Sequence, residues 1–141
     1  MAITKQEVQI TWPTAVNSKS VASGATQDSE ATTIHATATG GQVALKADNN
    51  GTPASGDTVD FYIKYNCGDP DAEPGTDEFA TDDHAILLAQ LDTYASGSGD
   101  DPAVAVVSID VDAKEFKIFV KSNAATNGIT VSATYYETRA A

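Results

Sequence analysis

The chain has 141 residues, with eight Lys or Arg against 20 Asp or Glu, and a formal net charge of -12. That charge argues against nucleic acid and anionic membrane surfaces as partners, because both are bound through clustered Lys and Arg. No segment approaches the run of about 20 apolar residues that a membrane helix needs. The start, MAITKQEVQITW, lacks the apolar stretch of a signal peptide. The sequence therefore predicts a protein made in the cytosol, with neither nucleic acid nor membrane as a partner.

Strand-like runs, separated by Gly, Asn, Asp and Pro, follow one another through the chain. The predicted strands are Val8–Trp12, Lys19–Ala22, Ala31–Thr39, Gln42–Ala47, Thr58–Tyr65, Ala103–Val111, Glu115–Lys121 and Ile129–Glu137. Strands at this spacing predict an all-β fold, an antiparallel β-sandwich that includes the jelly roll as one form, with at most one short helix. We assign residues 1–8 to an N-terminal arm that orders against a neighbour, and 9–141 to a single β-sandwich domain.

Four runs alternate between apolar and polar residues, which is typical of strands with one buried face. The residues predicted to point inward are Val59, Phe61, Ile63 and Tyr65; Ala105, Val107, Ile109 and Val111; Phe116, Ile118 and Val120; and Ile129, Val131, Ala133 and Tyr135.

Two turns and one ambiguous run complete the predicted elements. Asn127-Gly128 tolerates positive φ, so we predict a hairpin over Glu115–Glu137. NNGTPASGD predicts a second reversal between Ala47 and Thr58. The run DDHAILLAQLDTY fits either a short helix capped by an aspartate or a buried strand.

Metal and catalytic motifs are weak. In the loop CGDPDAEPGTDEFATDD, Asp69, Asp71 and Glu73 are spaced as the first ligands of a calcium loop, but Pro74 and Ala80 replace its glycine and final glutamate. We interpret the loop as solvated and acidic, with a looser Ca²⁺ site as the alternative.

The remaining reactive residue types are scattered. Cys67 lies beside acidic residues that oppose a thiolate, and His35 and His84 are far apart in sequence. Asp110 and Asp112 are expected to share an exposed strand face that aids solubility. We predict no enzymatic activity, no cofactor and no metal.

Aromatic residues give a clearer signal for binding. Tyr62, Phe119 and Tyr136 fall on the polar sides of their strands. Such rings are typical of protein interfaces, can grip the faces of sugars, or can be covered by a second layer of the same chain. Trp12 is expected to anchor either the core or an interface. The complete predicted interface set is Ile3, Val8, Trp12, Tyr62, Phe119 and Tyr136.

Three segments resemble proteins of tailed bacteriophages: ITW near the start, TVDFYIKYNCGD, and the terminal FKIFVKSNAATNGITVSATYYETR. Among these phage proteins, the three segments most resemble those of the small capsid decoration, or cement, proteins. The resemblance implies a β-sandwich or jelly roll, commonly a homotrimer, on the capsid exterior of the virion, with the major capsid protein as its partner.

The leading hypothesis is a non-enzymatic structural protein that stabilises a phage capsid by bridging major capsid subunits. One alternative is a carbohydrate-binding module or fibre head that uses Tyr62, Phe119 and Tyr136. The other is a structural subunit of the tail tube or tail fibre.

Overall fold

The computed structural model describes residues 3–66, 79, 85–94 and 102–140. Within these ranges ten strands form two antiparallel sheets that make a sandwich, and no helix occurs. The strands are β1 Ile3–Gln9, β2 Lys19–Val21, β3 Thr26–Asp28, β4 Thr32–Thr33, β5 Ala38–Asn49, β6 Thr58–Tyr65, β7 Ile86–Asp92, β8 Ala103–Ile109, β9 Glu115–Ser122 and β10 Ile129–Ala140. The predicted all-β sandwich is confirmed, while its assignment as a jelly roll stays a prediction.

Each sheet has four strands in its main path and a fifth strand beside it. The first sheet has the order β1-β10-β5-β8, and β2 pairs with β10 beyond the end of β1. The second sheet has the order β3-β9-β6-β7, and β4 pairs with β9. β7 and β8, each at the edge of its own sheet, approach one another on one flank of the sandwich.

The core lies between the inner faces of the two sheets. Phe116 of β9 meets Tyr135 of β10 edge to face, with ring centroids 5.1 Å apart. The largest fully buried side chains are Tyr135, Phe61, Phe116, Ile10, Leu45, Ile63, Ile118, Ile129, Val43, Val59, Val120 and Val131. Burying a side chain of this kind contributes about 1.5–3 kcal/mol. The predicted inward residues of β6, β9 and β10 are confirmed, and those of β8 are half-buried.

The predicted hairpin over Glu115–Glu137 is wrong. β9 belongs to the second sheet and β10 to the first, so the connection passes from one sheet to the other. Neither Asn127 nor Gly128 has positive φ, the conformation that a tight hairpin turn requires. The Asn127 side chain instead donates to Thr52 O at 3.0 Å. That contact holds the crossing against the 50–57 segment, which also joins the two sheets.

Several predicted strand limits are corrected as well. The first strand begins at Ile3 rather than Val8 and ends before Trp12. The single strand predicted over Ala31–Thr39 is divided, since β4 pairs in the second sheet and β5 starts at Ala38 in the first. The predicted strand over Gln42–Ala47 is the middle of this longer β5, and β3 was not predicted. The run after residue 85 is a strand, as one of the two alternatives predicted, but it is not buried, since Ile86 and Leu87 are exposed.

The acidic loop lies almost wholly outside the described residues, as do Cys67 and His84. Within the described ranges, no group of three or more His, Cys, Asp or Glu is placed to hold a metal ion. No described helix is both long and apolar enough to cross a membrane. The division into an arm and one domain stays a prediction, but residues 3–9 pair with β10 of the same chain instead of ordering only against a neighbour.

Candidate binding surfaces

Around Phe119, the outer face of the second sheet is covered by neighbouring side chains. Strand register places Leu87, Tyr62, Phe119 and Asp28 in one row across four strands. The Tyr62 and Phe119 rings are 5.6 Å apart. Lys64 Nζ lies 4.5 Å from the centre of the Phe119 ring and 3.1 Å from Asp28 Oδ1. These contacts leave Phe119 only 8% exposed.

The outer face of the first sheet is more open. Register places Glu7, Tyr136, Gln42 and Ser108 in one row across β1, β10, β5 and β8. The Tyr136 side chain is 42% exposed. Beside it lies a groove of about 740 Å³. We call it the Gly40 groove, and its lining is Lys5, Gln6, Glu7, Gly40, Gly41, Gln42, Ser108, Ile109, Tyr136, Glu137 and Thr138.

Two adjacent glycines of β5 have different roles at this groove. A Cβ at Gly41 would lie 2.9 Å from the Tyr135 ring and 2.8 Å from the Val111 side chain, so packing inside the sandwich requires glycine there. A Cβ at Gly40 would meet nothing within 4 Å. Gly40 therefore leaves open space that a side chain is able to fill.

A buried charge lies below the groove. The Glu137 carboxylate, on the inner side of β10, pairs with Arg139 Nε and accepts a hydrogen bond of 3.2 Å from the His35 amide. Burial alone would raise the pKa of Glu137, but Arg139, the His35 amide and Tyr135 together hold that pKa below its usual value. Burial and the nearby Glu137 carboxylate raise the pKa of Tyr135.

Four apolar side chains are exposed on the edge strands β7 and β8. Val104 is 70% and Val106 65% exposed, and Ile86 and Leu87 are 56% each. We call these four residues the β7–β8 flank. None of them was in the predicted interface set. The sequence signal is the run AVAVV, which places valine on both faces of β8 and is unusual for a strand with only one buried face.

The six predicted interface residues do not form one surface. Ile3 and Val8 point to opposite sides of β1, and Trp12 is a core residue, 2% exposed. Trp12 and Phe119 consequently present almost no surface in the isolated chain. Their roles in an interface, like those of Ile3 and Val8, stay predictions.

The three rings named for the carbohydrate-binding alternative do not share one face. Tyr62 and Phe119 lie on the outer face of the second sheet, whereas Tyr136 lies on the outer face of the first. Since the two sheets pack through their inner faces, one ligand cannot stack on all three rings.

Asp110, Asp112 and His35 form local hydrogen bonds within turns. β8 ends at Ile109, and Asp110 Oδ1 accepts a hydrogen bond of 2.9 Å from the Asp112 amide in the following turn. The predicted strand face shared by these two aspartates is therefore wrong. His35 Nδ1 lies 2.9 Å from Thr37 Oγ1, within a local turn.

Comparisons with known proteins give a fold and no family. No family model matches the chain, and no curated protein matches it. A structure of the CBM22-1-GH10 modules of xylanase 10B from Clostridium thermocellum matches with a TM-score of 0.52 at 12% identity, over 97% of this chain and 25% of that one. At such identity the likeness shows the β-sandwich fold alone.

Two further structures match with lower TM-scores. The C-terminal CBM6 of the laminarinase LamC from Zobellia galactanivorans has a TM-score of 0.49 at 7% identity, over 95% of this chain and 99% of that one. The capsid structure of Helicobacter pylori bacteriophage KHP30 has a TM-score of 0.44 at 13% identity, over 95% of this chain and 93% of that one.

Proposed function

We propose that this chain is a non-enzymatic virion protein that decorates the exterior of a phage capsid and bridges major capsid subunits. The observation that carries this proposal is the β7–β8 flank, where two neighbouring edge strands expose apolar side chains: Val104 and Val106 on the outer face of the first sheet, and Leu87 on the outer face of the second. Exposed apolar groups on edge strands favour a protein partner, because contact removes the side chains from water and pairs a backbone edge that no strand of the described residues covers.

The charge of the chain is consistent with this role. A net charge of -12 repels the protein from nucleic acid and suppresses its nonspecific self-association. A protein that binds assembled subunits more tightly than loose ones stabilises the shell by mass action. A protein that bridges several subunits binds more tightly than one contact alone would allow, because the first contact raises the effective concentration for the next.

Replacing Val104 and Val106 with lysine tests the proposal. The double variant should fold normally, since both side chains are exposed, but should lose attachment to phage heads that lack the protein. Val16→Lys is the matched control, because Val16 is also 70% exposed but lies outside the flank. Electron microscopy and co-sedimentation measure the attachment. Failure of the native protein to bind such heads, or equal binding by the double variant, would contradict the proposal.

A further inference from the structure

We propose that the Gly40 groove is a binding site for a neutral sugar unit of a glycan, with Tyr136 as the ring on which the sugar stacks. This site lies on the outer face of the first sheet, and the inference does not depend on attachment through the β7–β8 flank.

The first argument is the glycine itself. Glycine in a strand weakens the strand through backbone entropy, so it usually has a structural reason. Gly40 has no positive φ, and an added Cβ would touch nothing. It lies beside a bulge in the pairing of β5 with β10, but the bulge leaves its Cβ position open. What glycine provides here is space on the protein surface beside an exposed ring.

The second argument is the chemistry of the lining. A pyranose has an apolar face of C–H groups and a rim of hydroxyls that both donate and accept hydrogen bonds. The Tyr136 ring offers an aromatic surface for the C–H face of the sugar. The Gln42 amide and the Ser108 and Thr138 hydroxyls both donate and accept hydrogen bonds, as the sugar hydroxyls require. The volume of about 740 Å³ lies within the usual range for ligand sites.

The third argument excludes other ligands. Lys5 is the only cationic side chain in the lining, and Glu7 accompanies it, so a phosphate or sulfate group would lack the clustered cations that it needs. A peptide adding as a strand needs an open edge, whereas the floor of the groove runs over β10 and β5, which are paired on both sides. An uncharged, hydroxyl-rich ligand fits the lining best.

The test is binding of the full chain to an array of neutral oligosaccharides, followed by calorimetric titration of the best ligand. Tyr136→Ala removes the stacking ring, and Gly40→Val fills the groove. Each should weaken binding at least tenfold. Tyr62→Ala, which removes a tyrosine ring from the opposite face, should leave the affinity within twofold.

Thermal melting shows whether each variant is folded. Should Gly40→Val fail to fold, Gly40→Ala and Gln42→Ala take its place, with the same weakening expected. The inference is overturned if the native chain binds no neutral glycan on the array, or if Tyr62→Ala weakens binding as much as Tyr136→Ala. Val104→Lys alone, four residues from Ser108 along β8, should keep its glycan affinity, so the site and the attachment surface can fail separately.

Discussion

Glu137 is a charged residue in an interior position of β10, and its neighbours decide whether that charge stabilises the fold. Removing a carboxylate from water is costly, but Arg139 and the His35 amide compensate for the loss. Because the folded-state pKa lies below the unfolded one, this group contributes stability above the unfolded pKa of about 4.5. That contribution is lost as the pH falls through the folded pKa.

Glu137→Gln should lower the free energy of unfolding at pH 7 by about 1–3 kcal/mol, because it leaves Arg139 without its charged partner. The difference between native protein and variant should begin to shrink below about pH 4.5, where the carboxyl of the unfolded chain takes up protons, and should be lost once the pH has fallen through the lower folded-state pKa. Urea unfolding from pH 3 to 7 measures this effect. Glu30→Gln, at an exposed position, is the control and should change little. A difference that stays constant with pH would contradict the assigned role of Glu137.

Val131 and Val106 form a matched pair that separates packing from adhesion. Val131 is fully buried, and Val106 is largely exposed. Val131→Ala should cost about 2 kcal/mol through lost burial and the cavity left behind. Val106→Ala should cost less than about 0.5 kcal/mol. Chemical denaturation measures both, and similar losses would mean that Val106 is buried in the folded protein in solution.

At the scale of elements, the backbone of β1 is paired with a neighbouring strand although its side chains are not buried. All seven of its side chains are exposed, while its backbone pairs with β10 from Ile3 to Gln9. A strand with little side-chain burial adds little to stability, because the entropy of ordering it offsets most of the gain from its hydrogen bonds.

Because β1 adds little to stability, deleting residues 1–8 should lower the melting temperature only slightly. We predict that the deletion weakens attachment to phage heads more. We expect a loss of about 1 kcal/mol, or roughly 3 °C. Differential scanning calorimetry and co-sedimentation measure the two effects. A variant with Ile3→Ser and Val8→Ser keeps the strand and shows whether its side chains matter. Equal loss of stability and attachment would make β1 simply a part of the fold.

For the whole molecule, the proposed capsid role predicts a homotrimer. Sedimentation equilibrium should give three times the mass of the 14.6 kDa chain. Lysines at positions 104 and 106 should leave the trimer intact if the β7–β8 flank faces the capsid, and should dissociate it if the flank joins the subunits. A native monomer at all concentrations would contradict the predicted trimer.

Much of the fold was predictable because the alternation of apolar and polar residues along a strand depends only on neighbouring residues. Successive strand side chains point to opposite faces, so the spacing of Val59, Phe61 and Ile63 predicts both a strand and its buried side. The same rule placed Tyr136 on an outer face. It did not show that Tyr62 and Tyr136 belong to different sheets, nor that the outer face around Phe119 is closed by Lys64 and Asp28.

The sequence by itself determined the strand class, most of the inward faces and the strong negative charge. The tertiary structure alone decided which strands pair, that β9 and β10 lie in different sheets, and that Gly40 opens a groove beside Tyr136. The physical reason is the distance along the chain over which each property is decided. Face alternation follows from the geometry of neighbouring residues, whereas pairing depends on which distant apolar faces pack together best, and that choice is made only when the whole core assembles.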